Sequence, residues 1–238
     1  MKLDVLAIAA HPDDVELTCG GTMAKMAQKG YRTGILDLTR GEMGTRGTAE
    51  TRLKEAAAAA RILGVRVRGN LGLPDAGVEV NEQNKLAVAA KIREWQPHTV
   101  ILPYWEGRHP DHYNGARLAY EGCFLAGLKR LPLGGQAFRP FKILYSTMYQ
   151  DMRASFAVDI TAQVGRRKRA ILAYRSQFQP PRKERGGKVY LPLDQLEGEM
   201  NLIARYYGRM IGVQYAEPFL VKEILQVDDI VKMPVRSI

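Results

Sequence analysis

Two short stretches gather the residues that can do chemistry at neutral pH. Ala9-Ala10-His11-Pro12-Asp13-Asp14-Val15-Glu16 sets a histidine and two adjacent carboxylates in one turn. Arg108-His109-Pro110-Asp111-His112 sets two histidines around a further carboxylate. A catalytic zinc is held by three ligands drawn from His, Asp and Glu, with one position open for water. Consecutive side chains in a turn diverge, so one of Asp13 and Asp14 can ligate while the other faces that water. A carboxylate so placed accepts a proton from water whose acidity the metal raises. His109 and His112 divide in the same way. One binds metal, and the other stands beside the open position, able to polarise a carbonyl or protonate a leaving group. Asp111 reads as a helix cap or as the partner that orients a histidine, and Asp14 also fits an N-cap position.

The elements around these stretches must bring them together. Leu3–Ala10 reads as a first strand, and the helical spacing over Leu17–Gln28 ends at Gly30. A second strand covers Arg32–Leu38, followed by the glycine-rich loop Thr39–Gly47 with Arg40 and Arg46. Thr48 opens a helix that runs through the alanine tract to Gly64. Val65–Leu71 is a weaker third strand, Leu73–Gly77 a turn, and Asn81–Trp95 a helix. Thr99–Leu102 is a fully apolar fourth strand, and a helix runs from near Asp111 to about Leu128. This alternation predicts an α/β, Rossmann-like fold, a mostly parallel sheet with helices on both faces. The loops after strands one and four then meet at one edge of a doubly wound sheet, where such folds place ligands. His98 precedes its strand and belongs to the opposite edge.

Beyond Lys129 the pattern loosens into an elaborated C-terminal part. Ile143–Met148 and Phe156–Asp159 read as strands, Thr161–Tyr174 as a basic amphipathic helix, and Gln179–Gly187 as an exposed loop. Leu193–Met210 reads as helical and Phe219–Val227 as a last strand-like run. No repeat or early linker interrupts the chain, which predicts one domain over residues 1–238.

Composition is ordinary for a globular protein, 46% hydrophobic and 25% charged. No apolar run reaches the roughly 20 residues that span a bilayer, and because a cleaved signal would remove the histidine loop, no targeting segment is expected. Cys19 and Cys123 fit no metal or redox spacing, so a reduced, cytoplasmic setting is expected. The formal charge of +10 favours an anionic partner. The basic residues are dispersed and carry no nucleic-acid motif, so nucleic acid is not expected.

The two histidine motifs closely resemble those of the PIG-L/LmbE zinc-dependent de-N-acetylases, and the similarity runs through nearly the whole chain. Leu38–Glu42, Gly44–Gly47, Arg52, Gly72–Asp75, Ser176–Phe178 and Gly212–Phe219 look like the branch that deacetylates N-acetylglucosaminyl malate in bacillithiol biosynthesis. The resemblance implies that His11, Asp14 and His112 hold one Zn2+ per chain, with Fe2+ or Co2+ also fitting such a set. It makes Asp13 the general base and His109 the oxyanion or amine partner, with Arg52 and Arg108 touching an anionic glycoside. Some family members add a tyrosine near the oxyanion. By spacing Leu196 falls there, with Tyr190 close by. The family also implies a homo-oligomer, commonly a hexamer. Chitobiose, an inositol glycoside or a thiol-conjugate amide are the alternative substrates. A binding module without catalysis would have no use for Asp13.

Overall fold

The computed structural model describes residues 1–147, 151–179 and 193–235. Five parallel strands form the central sheet: β1 (Val5–Ala9), β2 (Thr33–Thr39), β3 (Val67–Leu73), β4 (Thr99–Pro103) and β5 (Lys142–Ser146). Their order is β3-β2-β1-β4-β5. The chain winds outward from β1 through β2 to β3, then returns to the other side of β1 as β4. The topological switch point therefore lies between β1 and β4, and the two histidine stretches leave the sheet on either side of it.

The connecting helices are α1 (Asp14–Thr18), α2 (Gly20–Gln28), α3 (Ala49–Leu63), α4 (Glu82–Trp95) and α5 (Pro110–Ala126). The C-terminal part adds an antiparallel pair, β6 (Phe156–Asp159) and β7 (Ala216–Phe219), with α6 (Val164–Leu172), α7 (Arg175–Phe178) and α8 (Leu193–Met210). Strand side chains alternate between the two faces. Leu6, Ile8, Leu36 and Leu38 pack against Val88, Ile92 and Leu118 of α4 and α5. Val5, Ala7, Ala9 and Ile35 pack against Met23, Ala59, Leu63 and Ala170 of α2, α3 and α6. With helices on both faces, β1 and β2 are buried along their whole length. Close packing of α4 on α5 depends on Gly122, where a Cβ would lie 2.5 Å from a Val88 methyl. Among the described residues, no helix is long and apolar enough to cross a membrane.

The structure corrects four boundaries. The expected helix over Leu17–Gln28 is two helices that break at Cys19. Two buried side chains from the distant C-terminal part fill the break. The Arg167 guanidinium donates to the carbonyls of Glu16, at 3.1 Å, and of Leu17, closing α1. The Glu217 carboxylate accepts from the amides of Gly21 at 2.9 Å and Thr22 at 2.6 Å, capping α2. Gly21 permits this approach, because a Cβ would stand 2.9 Å from the Glu217 carboxylate. At the start of α1 the N-cap is Asp13 rather than Asp14, and its side chain makes no capping bond. The third strand begins at Val67 instead of Val65. It is a partly buried edge strand, which weakens its apolar signal. The last strand ends at Phe219, where its four-residue partner β6 runs out. Beyond it Ile224 is 98% exposed. Met148, most of the expected 179–187 loop, and Tyr190 lie outside the described residues. His98 sits before β4 at the opposite edge, stacked on Phe141.

A buried ionic network supports α1 from below. Arg68 of β3 grips Asp37 of β2 through two bonds of 2.7 and 2.8 Å, and reaches Glu16 of α1 at 2.5 Å. The Tyr174 hydroxyl donates to the same Glu16 oxygen at 3.2 Å. Burial pushes the Asp37 carboxyl up, and the charge of Arg68 opposes that. Replacing Arg68 by Met should therefore cost about 3–5 kcal/mol, because Asp37 would be left buried without its cation and Glu16 with the Tyr174 hydroxyl alone. Urea unfolding of R68M measures this, and a loss below about 1 kcal/mol would mean the network is inert.

Candidate metal centre

β1 delivers its chain end to a tight turn. The Thr39 amide and hydroxyl both donate to the Ala10 carbonyl, at 2.9 and 3.1 Å, pinning the end of β1 to that of β2. The turn then bends sharply at Asp13, whose φ of 113° is rare for a residue with a side chain. Arg52 of α3 holds it there. Arg52 is 4% exposed, and its guanidinium donates to the Pro12 carbonyl and lies 3.2 Å from the Asp13 carboxylate. Across the switch point, His109 is the N-cap of α5, and its Nδ1 accepts from the Asp111 amide at 3.2 Å. Pro110 at the first helical position suits that start. The first turn of α5 then carries Asp111 and His112.

The two stretches meet at His11. Its Nδ1 lies 3.3 Å from Asp14 Oδ2, and the same oxygen lies 3.3 Å from His112 Nε2. The His11 amide also donates to Asp14 Oδ2 at 2.9 Å. On its far side, His11 Nε2 faces Asp75 at 2.9 Å and Asp111 at 3.2 Å. Asp111 is 1% exposed and accepts from the amides of Ala76 and Val78, at 2.8 and 3.1 Å. It orients a histidine, as its place in the sequence suggested. In the sequence Asp75 falls in a turn and in a segment that resembles the bacillithiol branch, with no role of its own. Its carboxylate accepts from the Met43 and Ala76 amides as well as facing His11. One signal could have found it: an acid just past the end of β3 reaches the same sheet edge.

The electrostatics of this cluster are those of a cation site. Burial alone would lower the His11 pKa, but hydrogen bonds to Asp111, Asp14 and Asp75 outweigh it and raise it to about 12. A neutral imidazole has one N–H, yet both ring nitrogens here face carboxylates. Burial likewise pushes Asp14 up, but the charges of His112 and His11 and their hydrogen bonds hold it well below the usual range. His11, Asp14 and His112 each offer a ligand atom, all within 4.8 Å of one another. Two imidazoles and a carboxylate fit zinc, and suit Fe2+ or Co2+ as well. With Nε2 of His11 committed to Asp75 and Asp111, its Nδ1 is left for the metal beside Asp14. A second grouping, His11, His109 and Asp111, also lies within reach. There Asp111 already accepts two amides and His109 Nδ1 a third, which leaves Nε2 as the open ring nitrogen of His109.

Asp13 stands outside this set, 3.2 Å from Arg52. Burial raises it to about 7, against the pull of Arg52 and with a further push from Asp14. His109 is lowered by burial and by the charges of His11 and His112. A cavity of about 630 Å³ opens over these groups. Arg46, Arg52, Arg108, Met43 and Phe178 contribute to its wall. All seven residues singled out in the sequence thus line one cavity, and Arg52 in addition holds the Asp13 turn.

The profile described as PIG-L, GlcNAc-PI de-N-acetylase, matches residues 6–123. A diacetylchitobiose deacetylase of Thermococcus kodakarensis is 30% identical over 226 residues, which is 90% of this chain and 80% of that enzyme. The chain belongs to the PIG-L family. A PIG-L fold is equally clear in three dimensions. The conserved protein TT1542 from Thermus thermophilus superposes with a TM-score of 0.86 at 43% identity, covering 95% of this chain and 98% of that one. A 1D-myo-inositol 2-acetamido-2-deoxy-alpha-D-glucopyranoside deacetylase of Rhodococcus opacus is 30% identical over 176 residues, 60% of each chain.

Asp75→Asn removes a charge facing His11 Nε2 without touching the three ligand atoms. Metal affinity, read by chelator competition, should fall about tenfold or more. Unchanged affinity would leave Asp75 with no role beyond tying the Met43 loop.

Proposed function

We propose that this chain hydrolyses the acetamide of an N-acetylglucosaminide, releasing acetate and the free amine, with N-acetylglucosaminyl malate as its substrate. The observation that carries the reading is Asp13. It is a carboxylate outside the ligand set, fixed by Arg52 and facing the cavity beside His11, Asp14 and His112. A site that only bound metal or ligand would not need it.

A divalent metal held by His11, Asp14 and His112 would supply a Lewis acid that polarises the acetyl carbonyl and makes water more acidic. Asp13 accepts the proton as water adds to the acetyl carbon. Arg52 keeps Asp13 aimed at that water. Its own bond to the Pro12 carbonyl fixes the turn from the other side. His109 is held neutral, and its Nδ1 is occupied by the Asp111 amide. Its proton therefore sits on Nε2, a donor for the oxygen that gains charge in the tetrahedral intermediate. When the C–N bond breaks, the amine nitrogen takes up a proton, and Asp13 is the group that holds one.

The malyl aglycone carries two carboxylates, and Arg52 and Arg108 are its proposed contacts. Planar guanidinium groups suit bidentate recognition of carboxylates. The segments Leu38–Glu42, Gly44–Gly47 and Gly72–Asp75 support this choice through their likeness to the bacillithiol branch, and Gly41, Gly44, Thr45, Arg46 and Asp75 from them border the cavity. A second reading, a chitobiose or inositol glycoside substrate, is supported by the Thermococcus and Rhodococcus relatives.

Asp13→Asn should lower kcat about 10²–10⁴-fold while metal content is retained. Acetate release at near wild-type rate would overturn the role of Asp13. Across a panel of malyl, inositol and chitobiose N-acetylglucosaminides, the malyl compound should have the highest kcat/KM. Equal rates would rule out recognition of the malyl group.

A further inference from the structure

Between Pro103 and His109 the chain runs along the cavity, and Tyr104, Glu106, Gly107 and Arg108 contribute to its wall. Trp105 packs elsewhere. Its ring lies 4.5 Å from that of Tyr104 and stands at 89° to that of Tyr145, 4.8 Å away. Over this group sits a cation from the far end of the chain. Lys222 Nζ is 4.2 Å from the Trp105 ring centre, 4.9 Å from Tyr145 and 5.1 Å from Tyr120. All three lie within the roughly 6 Å over which an aromatic face attracts a cation.

Two features separate this from a chance surface contact. The rings come from three different elements: the 104–108 segment, α5 and β5. The backbone also delivers the lysine, because Leu220 and Tyr145 exchange both of their amide-to-carbonyl bonds at 2.9 Å, two residues before Lys222. Hydrogen bonding does not explain the arrangement of the rings. The Tyr145 hydroxyl is buried with no hydrogen-bond partner among the described residues. Ring packing and the ammonium join the segment to β5 and the C-terminal chain, and the Tyr104 amide adds a bond to the Ser146 carbonyl at 2.9 Å.

We propose that Lys222 is a positioning residue for substrate binding. Its ammonium, seated among Trp105, Tyr120 and Tyr145, holds the 104–108 segment and so sets Arg108 on the cavity wall. Nothing in the reacting group is touched, so the latch acts on binding and leaves the chemical step alone. The expected KM effect rests on the deacetylase reading above. The ordering of the segment does not.

Both can be measured on the full chain with Lys222→Met, which keeps the apolar stem, and Lys222→Arg, which keeps the cation. In K222M, amide hydrogen exchange over residues 104–108 should quicken about three- to tenfold, the size of a lost cation–ring contact, while β1 and β2 stay as protected as in wild type. K222R should restore wild-type exchange. With the preferred glucosaminide, KM should rise several-fold in K222M with kcat within about twofold, the pattern for lost uniform binding. Wild-type exchange over 104–108 in K222M would overturn the proposal, as would loss of protection spread evenly across β1 and β2. A fall in kcat at unchanged KM would overturn it too. If wild type deacetylates none of the panel, the substrate reading fails, and the exchange data still decide the latch.

Discussion

Asp13, Asp14, Asp75 and Asp111 all come to one edge of the sheet, and withdrawing four carboxylates from water is costly unless each finds a partner. Three backbone amides meet Asp111 and Asp75, with that of Val78 on Asp111, that of Met43 on Asp75 and that of Ala76 shared between them, and both carboxylates face His11. Asp14 lies between two imidazoles, and Asp13 against a guanidinium. These carboxylates raise the pKa of His11 and of His112, so the two rings favour holding protons beside them. A divalent cation held by His11, Asp14 and His112 would take the place of the protons facing Asp14, which would link metal uptake to proton release.

The same arithmetic is repeated one layer down. Arg68 answers Asp37 and Glu16, while Arg167 answers Glu217 and the last carbonyls of α1. Each guanidinium joins elements that are distant in sequence. α1, which carries Asp14, is therefore braced by β3, β2 and α6 rather than by hydrophobic contact alone. A five-residue helix has little intrinsic stability. These braces let it hold a metal ligand in place.

What could be read in the sequence follows from what is local. The His-Pro-Asp-Asp turn, the second histidine cluster and the four strand–helix repeats depend on spacing within a few residues, and they were legible. Thr48 capping α3 was equally plain, and it accepts from the Thr51 amide as an N-cap should. The break at Cys19 was not, because its cause lies at Arg167 and Glu217, far along the chain. Asp75 looked like an ordinary turn acid until β3 placed it beside His11. Arg68, Asp37 and Glu16 are three charges in elements that otherwise read as apolar or amphipathic, and only the sheet order makes them neighbours. The last strand failed for the opposite reason. Ile224, Leu225 and Val227 have strand-forming side chains but no strand to pair with among the described residues.

Glu217 bears on how the chain becomes a working molecule. The stretch that matches the PIG-L profile ends at residue 123 and contains every group assigned to the metal and the proton. The cap on α2, however, is supplied from β7, far beyond that stretch. During synthesis, the amino-terminal half can emerge with its strands and chemistry in order while α2 still lacks its carboxylate and α1 its arginine. The site is completed from behind, by two side chains made later that do not line the cavity. The helices behind the metal ligands are thus fully capped only once the chain around Arg167 and Glu217 has folded back onto them.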